Sequence, residues 1–125
     1  MRFTETEIRL ATRLRGAGLV WEPAAGHYVF DIDGVVKAAS PFQAGVYLVS
    51  SPNAMERLVG GADDLHAKFA WLPTWADLSA WLEMRGVTRH KVVTALDTAV
   101  KDDRSDLEAI YGVVMEALAP VEESA

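Results

Sequence analysis

The 125-residue chain carries 12 basic and 18 acidic side chains, a formal charge of −6 at pH 7, and no cysteine. The missing thiols exclude cysteine nucleophiles, cysteine-held zinc, iron–sulfur clusters and disulfide scaffolds. The acidic balance argues against a phosphate backbone as partner, so no nucleic acid is expected. Half of the residues are apolar, enough at this length for one core without a metal or disulfide staple. No stretch reaches the roughly 18 apolar residues of a membrane span, and the expectation is a soluble, cytoplasmic protein that engages no membrane.

Thr4 followed by Glu7 has the capping-box spacing, in which two side chains satisfy free amide donors at a helix start. A first helix is expected from there, with Ile8, Leu10, Ala11 and Leu14 as its apolar stripe and Gly16 and Gly18 at its end. Arg2, Arg9, Arg13 and Arg15 are interleaved with Glu5 and Glu7 and read as a solvated helix face.

From Leu19 to Ser50, short apolar runs are broken by Pro23, Gly26, Gly34, Pro41 and Gly45, the pattern of an antiparallel meander. Strands are expected near 19–22, 27–31, 35–39 and 45–50. A three-residue loop, Ile32-Asp33-Gly34 with Gly34 left-handed, sets Asp31 opposite Val35, Phe30 opposite Val36 and Tyr28 opposite Ala38. That register keeps Lys37 off the apolar face, where its charge would be costly. Val46 to Val49 is apolar on both alternating sets and suits a strand covered on both sides.

After Ser50 the pattern turns helical. Ser51-Pro52 opens a helix that Gly60-Gly61 ends, and Asp63 to Phe69 adds a turn or two. Thr74 with Asp77, Thr88, and Ser105 with Glu108 cap three more helices. Their stripes are Trp75, Leu78, Trp81 and Leu82; then Val92, Val93, Leu96, Ala99 and Val100, with Val87 stapled to Val92; then Leu107, Ile110, Tyr111, Val114 and Leu118. Pro120 stops the last. The order predicts one α+β domain over 1–119: an N-terminal helix, a small antiparallel meander of about four strands, and three or four C-terminal helices packed on it. Residues 120–125 are expected to be a frayed tail.

The string Tyr28-Val29-Phe30-Asp31-Ile32-Asp33-Gly34-Val35-Val36 resembles the first motif of the haloacid-dehalogenase-like phosphatases, an apolar strand ending in Asp-x-Asp-Gly. The resemblance implies a Mg²⁺-dependent phosphohydrolase with Asp31 as nucleophile and Asp33 as acid/base. Val46 to Ser51 similarly resembles the family's second motif. The later motifs are out of order, because Asp63 and Asp64 precede Lys68, the candidate for the third. A parallel neighbour also needs a crossover of a dozen or more residues, whereas Gly34 and Val46 enclose eleven, including the apolar run Val35 to Ala39. Asp-Gly is itself a strong hairpin signal, and the turn is the preferred reading.

Asp63, Asp64 and His66, with Glu56 nearby, could ligate a divalent ion, but acidic residues there also suit a helix N-terminus, with Asp63 or Asp64 as cap. His27, His66 and His90 share no metal spacing, and no serine sits in a Gly-x-Ser-x-Gly elbow. Neither metal nor cofactor is therefore expected, Mg²⁺ entering only with the phosphohydrolase. Trp71, Trp75 and Trp81, with Phe69, Leu72 and Met84, form the densest aromatic cluster. Tryptophan at the rim of a core anchors partners. The favoured expectation is a non-catalytic protein-interaction or small-ligand-binding module, perceived through Trp71, Trp75, Trp81 and Met84, with a protein partner or a second copy of the chain forming a homodimer. The phosphohydrolase using Asp31 and Asp33 is the alternative.

Overall fold

Alternation through Tyr28–Asp31 makes β1, the central strand of a three-stranded sheet in the computed structural model, which describes residues 2–119. The elements follow the order α1 (Glu5–Gly16), β1, β2 (Val46–Leu48), α2 (Pro52–Val59), α3 (Ala62–Lys68), β3 (Phe69–Leu72), α4 (Trp75–Met84), α5 (Arg89–Lys101) and α6 (Asp106–Leu118). The sheet runs β2-β1-β3, and β1 is antiparallel to both neighbours. Phe30 sits opposite Val46 and Ala70, and Val29 opposite Tyr47 and Trp71. Because side chains alternate along a strand, Tyr28, Phe30, Val46, Ala70 and Leu72 share one face and Val29, Asp31, Tyr47, Phe69 and Trp71 the other. The first face meets Leu14 of α1, Leu78 and Leu82 of α4, and Ile110 and Val114 of α6 in the larger core. The second meets Trp21, Leu65 of α3, and Met55 and Val59 of α2. Helices therefore cover both sides of the sheet.

This is the expected α+β class, with a different strand set. Segments 19–22 and 35–39 are not strands, and the third strand is β3, of which the sequence reading includes only Phe69, in a helix, and assigns the rest to no element. Tyr28 and Phe30 do share a face, but they pair with Leu48 and Leu72, and with Val46 and Ala70, rather than with Ala38 and Val36. The cause lies at Asp31. Its carboxylate accepts the N–H groups of Val35 at 3.0 Å and Val36 at 2.8 Å, and Gly34 takes the left-handed conformation (φ 68°) that lets the chain curl around it. Donors engaged by a side chain are lost to a sheet ladder, so the hairpin is replaced by a long loop that rejoins the sheet at Val46. Gly34 is left-handed as expected, but the antiparallel neighbour that follows is β2, and 35–39 does not return along β1.

β3 hides from periodicity because Phe69-Ala70-Trp71-Leu72 is apolar throughout, as suits a strand packed on both faces. Phe69, Ala70 and Leu72 are all buried.

Helix boundaries follow the side-chain caps closely. Thr4 with Glu7 and Thr74 with Asp77 form complete capping boxes, Ser51, Thr88 and Ser105 cap α2, α5 and α6, and Gly60 ends α2 in the left-handed region. For α3 the expectation is corrected: the cap is Gly61 without a side-chain bond, and Asp63 and Asp64 lie inside the first turn. On α5, Ala99 is buried, whereas Val93 and Val100 are exposed rather than sharing the inward stripe. Pro120 and the tail expected to fray lie outside the described residues. Among the described residues, no helix is long and apolar enough to cross a membrane.

Candidate functional site

A cavity of about 250 Å³ opens along the free edge of β3. Ile32 N–H donates to Lys68 O, which fixes the hydrogen-bonded rungs of the β1–β3 ladder at alternate pairs. Trp71 falls between those rungs, so its main-chain N–H and C=O point away from β1, toward the open edge. Opposite that edge runs the chain leaving α1. Gly18 (φ 104°) turns it, Leu19 N–H bonds back to Leu14 O, and Leu19, Val20 and Trp21 then form the far wall. Phe69 and Trp71 form the near wall, and Ala11, Arg15 and His66 complete the lining. The alternation of Leu19 and Trp21 inward and Val20 outward is thus real, but the cavity separates it from the ladder it was expected to join.

The two indoles of this cavity differ in one respect. Trp21 Nε1–H donates to His27 Nδ1 at 3.0 Å, which leaves the other imidazole nitrogen facing Asp77 Oδ1 at 4.0 Å. Trp71 stacks on the same imidazole with ring centroids 5.0 Å apart, yet its Nε1 is buried and has no acceptor among the described residues. An unmade hydrogen bond of a buried donor costs about 1–3 kcal/mol, and buried indole N–H groups usually find a partner. Arg15 also retains donor capacity. Its Nη2 donates to His66 O and Ala67 O, each at 3.0 Å, and among the described residues no carboxylate lies within ion-pair distance of it.

The three tryptophans of the sequence cluster are not brought to one surface. Trp71 belongs to the cavity at β3, whereas Trp75 lines a separate cleft of about 560 Å³ between α4 and α5, with Leu82, Glu83, Arg89 and Val92. Trp81 is half-buried under the Arg85 guanidinium, 4.0 Å above its ring, and Met84 is 89% exposed at the end of α4.

Three carboxylates, Asp31, Glu7 and Asp77, are engaged by the fold. Asp31 is buried and holds the loop described above, while Asp33 is exposed. Glu7 accepts from Thr4 N–H and from the Ser105 hydroxyl, and Asp77 accepts from Thr74 N–H. Among the described residues, no three His, Asp or Glu side chains converge as metal ligands, Glu56, Asp63, Asp64 and His66 included.

Among the described residues, Tyr111 is the one group whose ionisation is strongly displaced. It donates to Pro73 O at 2.7 Å inside the core, and burial, then the charges of Glu7 and Asp77, push its phenol far above the usual range. The folded state therefore holds the proton. Its contribution is intact below the free phenol value of about 10 and falls at about 1.4 kcal/mol per pH unit above it, because only the unfolded chain then ionises. Tyr111→Phe is expected to cost about 1 kcal/mol near neutral pH and to flatten the alkaline fall in urea-denaturation stability. An alkaline slope equal to that of the wild type would contradict this account.

Sequence reasoning missed most of the cavity. Arg15 was grouped with a solvated helix face, Trp21 with a strand and His66 with a helix start. The legible signal was that Trp21, alone among the four tryptophans, stands outside the cluster, with Pro23 and Gly26 interrupting the chain before His27. Comparisons with protein families, with curated proteins and with solved structures gave no match to this chain.

Proposed function

We propose that this chain is a non-catalytic, small-molecule-binding module whose site is the cavity between β3, α1 and the Leu19–Trp21 segment. The observation that carries the reading is the cavity itself, about 250 Å³ at the free edge of β3, whose mainly apolar lining of Leu19, Val20, Trp21 and Trp71 is joined by Arg15 and His66. Binding without chemistry agrees with the engagement of Asp31, Glu7 and Asp77 in loop and helix-cap hydrogen bonds. The larger α4–α5 cleft is the weaker choice, since it carries Glu83 and Arg89, charges of both signs, in its own lining.

The test is a panel of small aromatic compounds screened by protein NMR. Shifts are expected at Ala11, Arg15, Leu19 to Trp21, His66, Phe69 and Trp71. Val20 lines this space and is 72% exposed, so Val20→Trp should crowd it and weaken those shifts while the protein stays folded. Shifts confined to the α4–α5 cleft, or binding undiminished in Val20→Trp, would overturn the proposal.

A further inference from the structure

We infer that α5 is a self-association surface, on which a second copy of the chain lays its own α5 antiparallel about a two-fold axis near Leu96. This surface lies apart from the small-molecule cavity and does not depend on it. The fold leaves part of the apolar side of α5 uncovered. Helices α4 and α5 both rest on α6, and a cleft of about 560 Å³ stays open between them. Ala99 is buried, but Val93 is 46% and Val100 74% exposed, and Leu96 is half-buried on the cleft wall. Spacings of three and four put Val93, Leu96 and Val100 on one stripe, and Arg89, four positions before Val93, continues it. Such a stripe is the seam of a helix pair, since a second helix seats its side chains between these residues. The flank of that helix then covers Trp75 and Val92, both half-buried in the same cleft.

Charge identifies the second helix as another α5. Unlike α1, α3, α4 and α6, α5 has no acid in its first turn, where Arg89, His90 and Lys91 face the positive end of its own dipole. Asp102 and Asp103 stand at the negative end, and Asp103 occupies the left-handed position (φ 55°) that usually falls to glycine or asparagine. Lys91 is paired with Glu116 at 2.9 Å and Asp102 with Arg104 at 3.5 Å. Arg89 and Asp103 are exposed and have no ion pair among the described residues. These two opposite charges each lie seven positions from Leu96, about 10 Å along the helix. A two-fold axis at Leu96 therefore sets Arg89 of each copy beside Asp103 of the other, with Val93 near Val100 and the two dipoles opposed. A parallel copy would set like charges on like. One patch serves both partners, as a closed dimer requires. Because α5 is only about 20 Å long, the interface falls short of the roughly 800 Å² per partner of a standard complex, and a weak dimer is expected.

The experiment follows the full chain by sedimentation equilibrium from about 10 µM to about 1 mM, a span that brackets a weak dimer. The weight-average mass is expected to rise from that of one chain toward that of two. Val100→Lys, at a position already 74% exposed, should weaken the dimer about tenfold or more by placing a charge in the seam. Leu58→Lys, on α2 and 67% exposed, should leave it unchanged. Asp103→Gly removes the charge and suits the left-handed backbone, so it should weaken the dimer about threefold without lowering the melting temperature. Because the chain has no cysteine, Leu96→Cys supplies a single thiol at the axis, and oxidation should link it into dimers faster than Leu58→Cys. A wild type that stays monomeric throughout the range would overturn the proposal, as would a dimer indifferent to Val100→Lys. Equal cross-linking of the two cysteine variants, or undiminished association of Asp103→Gly, would overturn the antiparallel arrangement about Leu96.

Discussion

Asp31→Ala is expected to destabilise the protein by about 3 kcal/mol, because it removes the acceptor of two main-chain donors at once. Asp31 is only 6% exposed, and its two oxygens take the N–H groups of Val35 and Val36 separately. A hydrogen bond to a charged group is worth about 1.5–3 kcal/mol, and the donors left behind pay a desolvation cost unless the loop opens to water. Val35 and Val36 pack on the smaller core, so an opened loop also uncovers apolar surface there. Asp31→Asn retains one acceptor oxygen and should lose about half as much. Asp33 is exposed, and Asp33→Ala should stay within about 0.5 kcal/mol of the wild type. Urea denaturation of the three variants measures these differences. The set also bears on the resemblance of this segment to an Asp-x-Asp-Gly phosphatase motif. Catalytic aspartates would leave stability largely unchanged and take Mg²⁺-dependent hydrolysis of a phosphate ester with them, for Asp33 as much as for Asp31. Stability loss at Asp31 alone, without any such hydrolysis to lose, is the outcome expected of a loop anchor.

What could be read from the residues divides along local and non-local physics. Helix starts were legible because a cap is a contact between neighbours: Thr4 with Glu7 and Thr74 with Asp77 need nothing beyond three residues of spacing. Gly34 was legible for the same reason, since an Asp-Gly step prefers a left-handed turn. The strand after it was not. Whether Val35 and Val36 donate to a ladder or to a carboxylate depends on the orientation of Asp31, which alternation in the sequence does not encode. β3 was lost because its apolar run lacks a period, and because its partner β1 lies about forty positions earlier. The candidate site fared likewise. The aromatic residues drew notice as a cluster in sequence, but β3 and α4 carry Trp71 and Trp75 to different cavities. Arg15 became interesting only once its carbonyl partners, some fifty residues away, were known.

The strand that sequence periodicity missed supplies a fully buried core position, Leu72. Leu72 and Leu48 both pair with Tyr28 and lie on the same sheet face, but they belong to opposite edges of the sheet. Leu72 is 0% exposed and sits among the residues of the larger core, with Leu14, Leu78 and Ile110, whereas Leu48 is 38% exposed. Truncation at Leu72 removes packed methyl groups from a space that the helices α1, α4 and α6 cannot readily collapse into. Leu72→Ala is therefore expected to cost about 3–4 kcal/mol, within the range for fully buried leucines. That is a large share of the roughly 5–15 kcal/mol that holds a domain of this kind together. Leu48→Ala should cost about 1 kcal/mol or less, since much of its side chain is already hydrated. The comparison is informative because residue type, sheet face and cross-strand neighbour are the same, so the difference reports burial alone. Equal losses at the two positions in urea denaturation would mean that the helices cover both edges alike, and the assignment of β3 as the strand enclosed by α1, α4 and α6 would have to be abandoned.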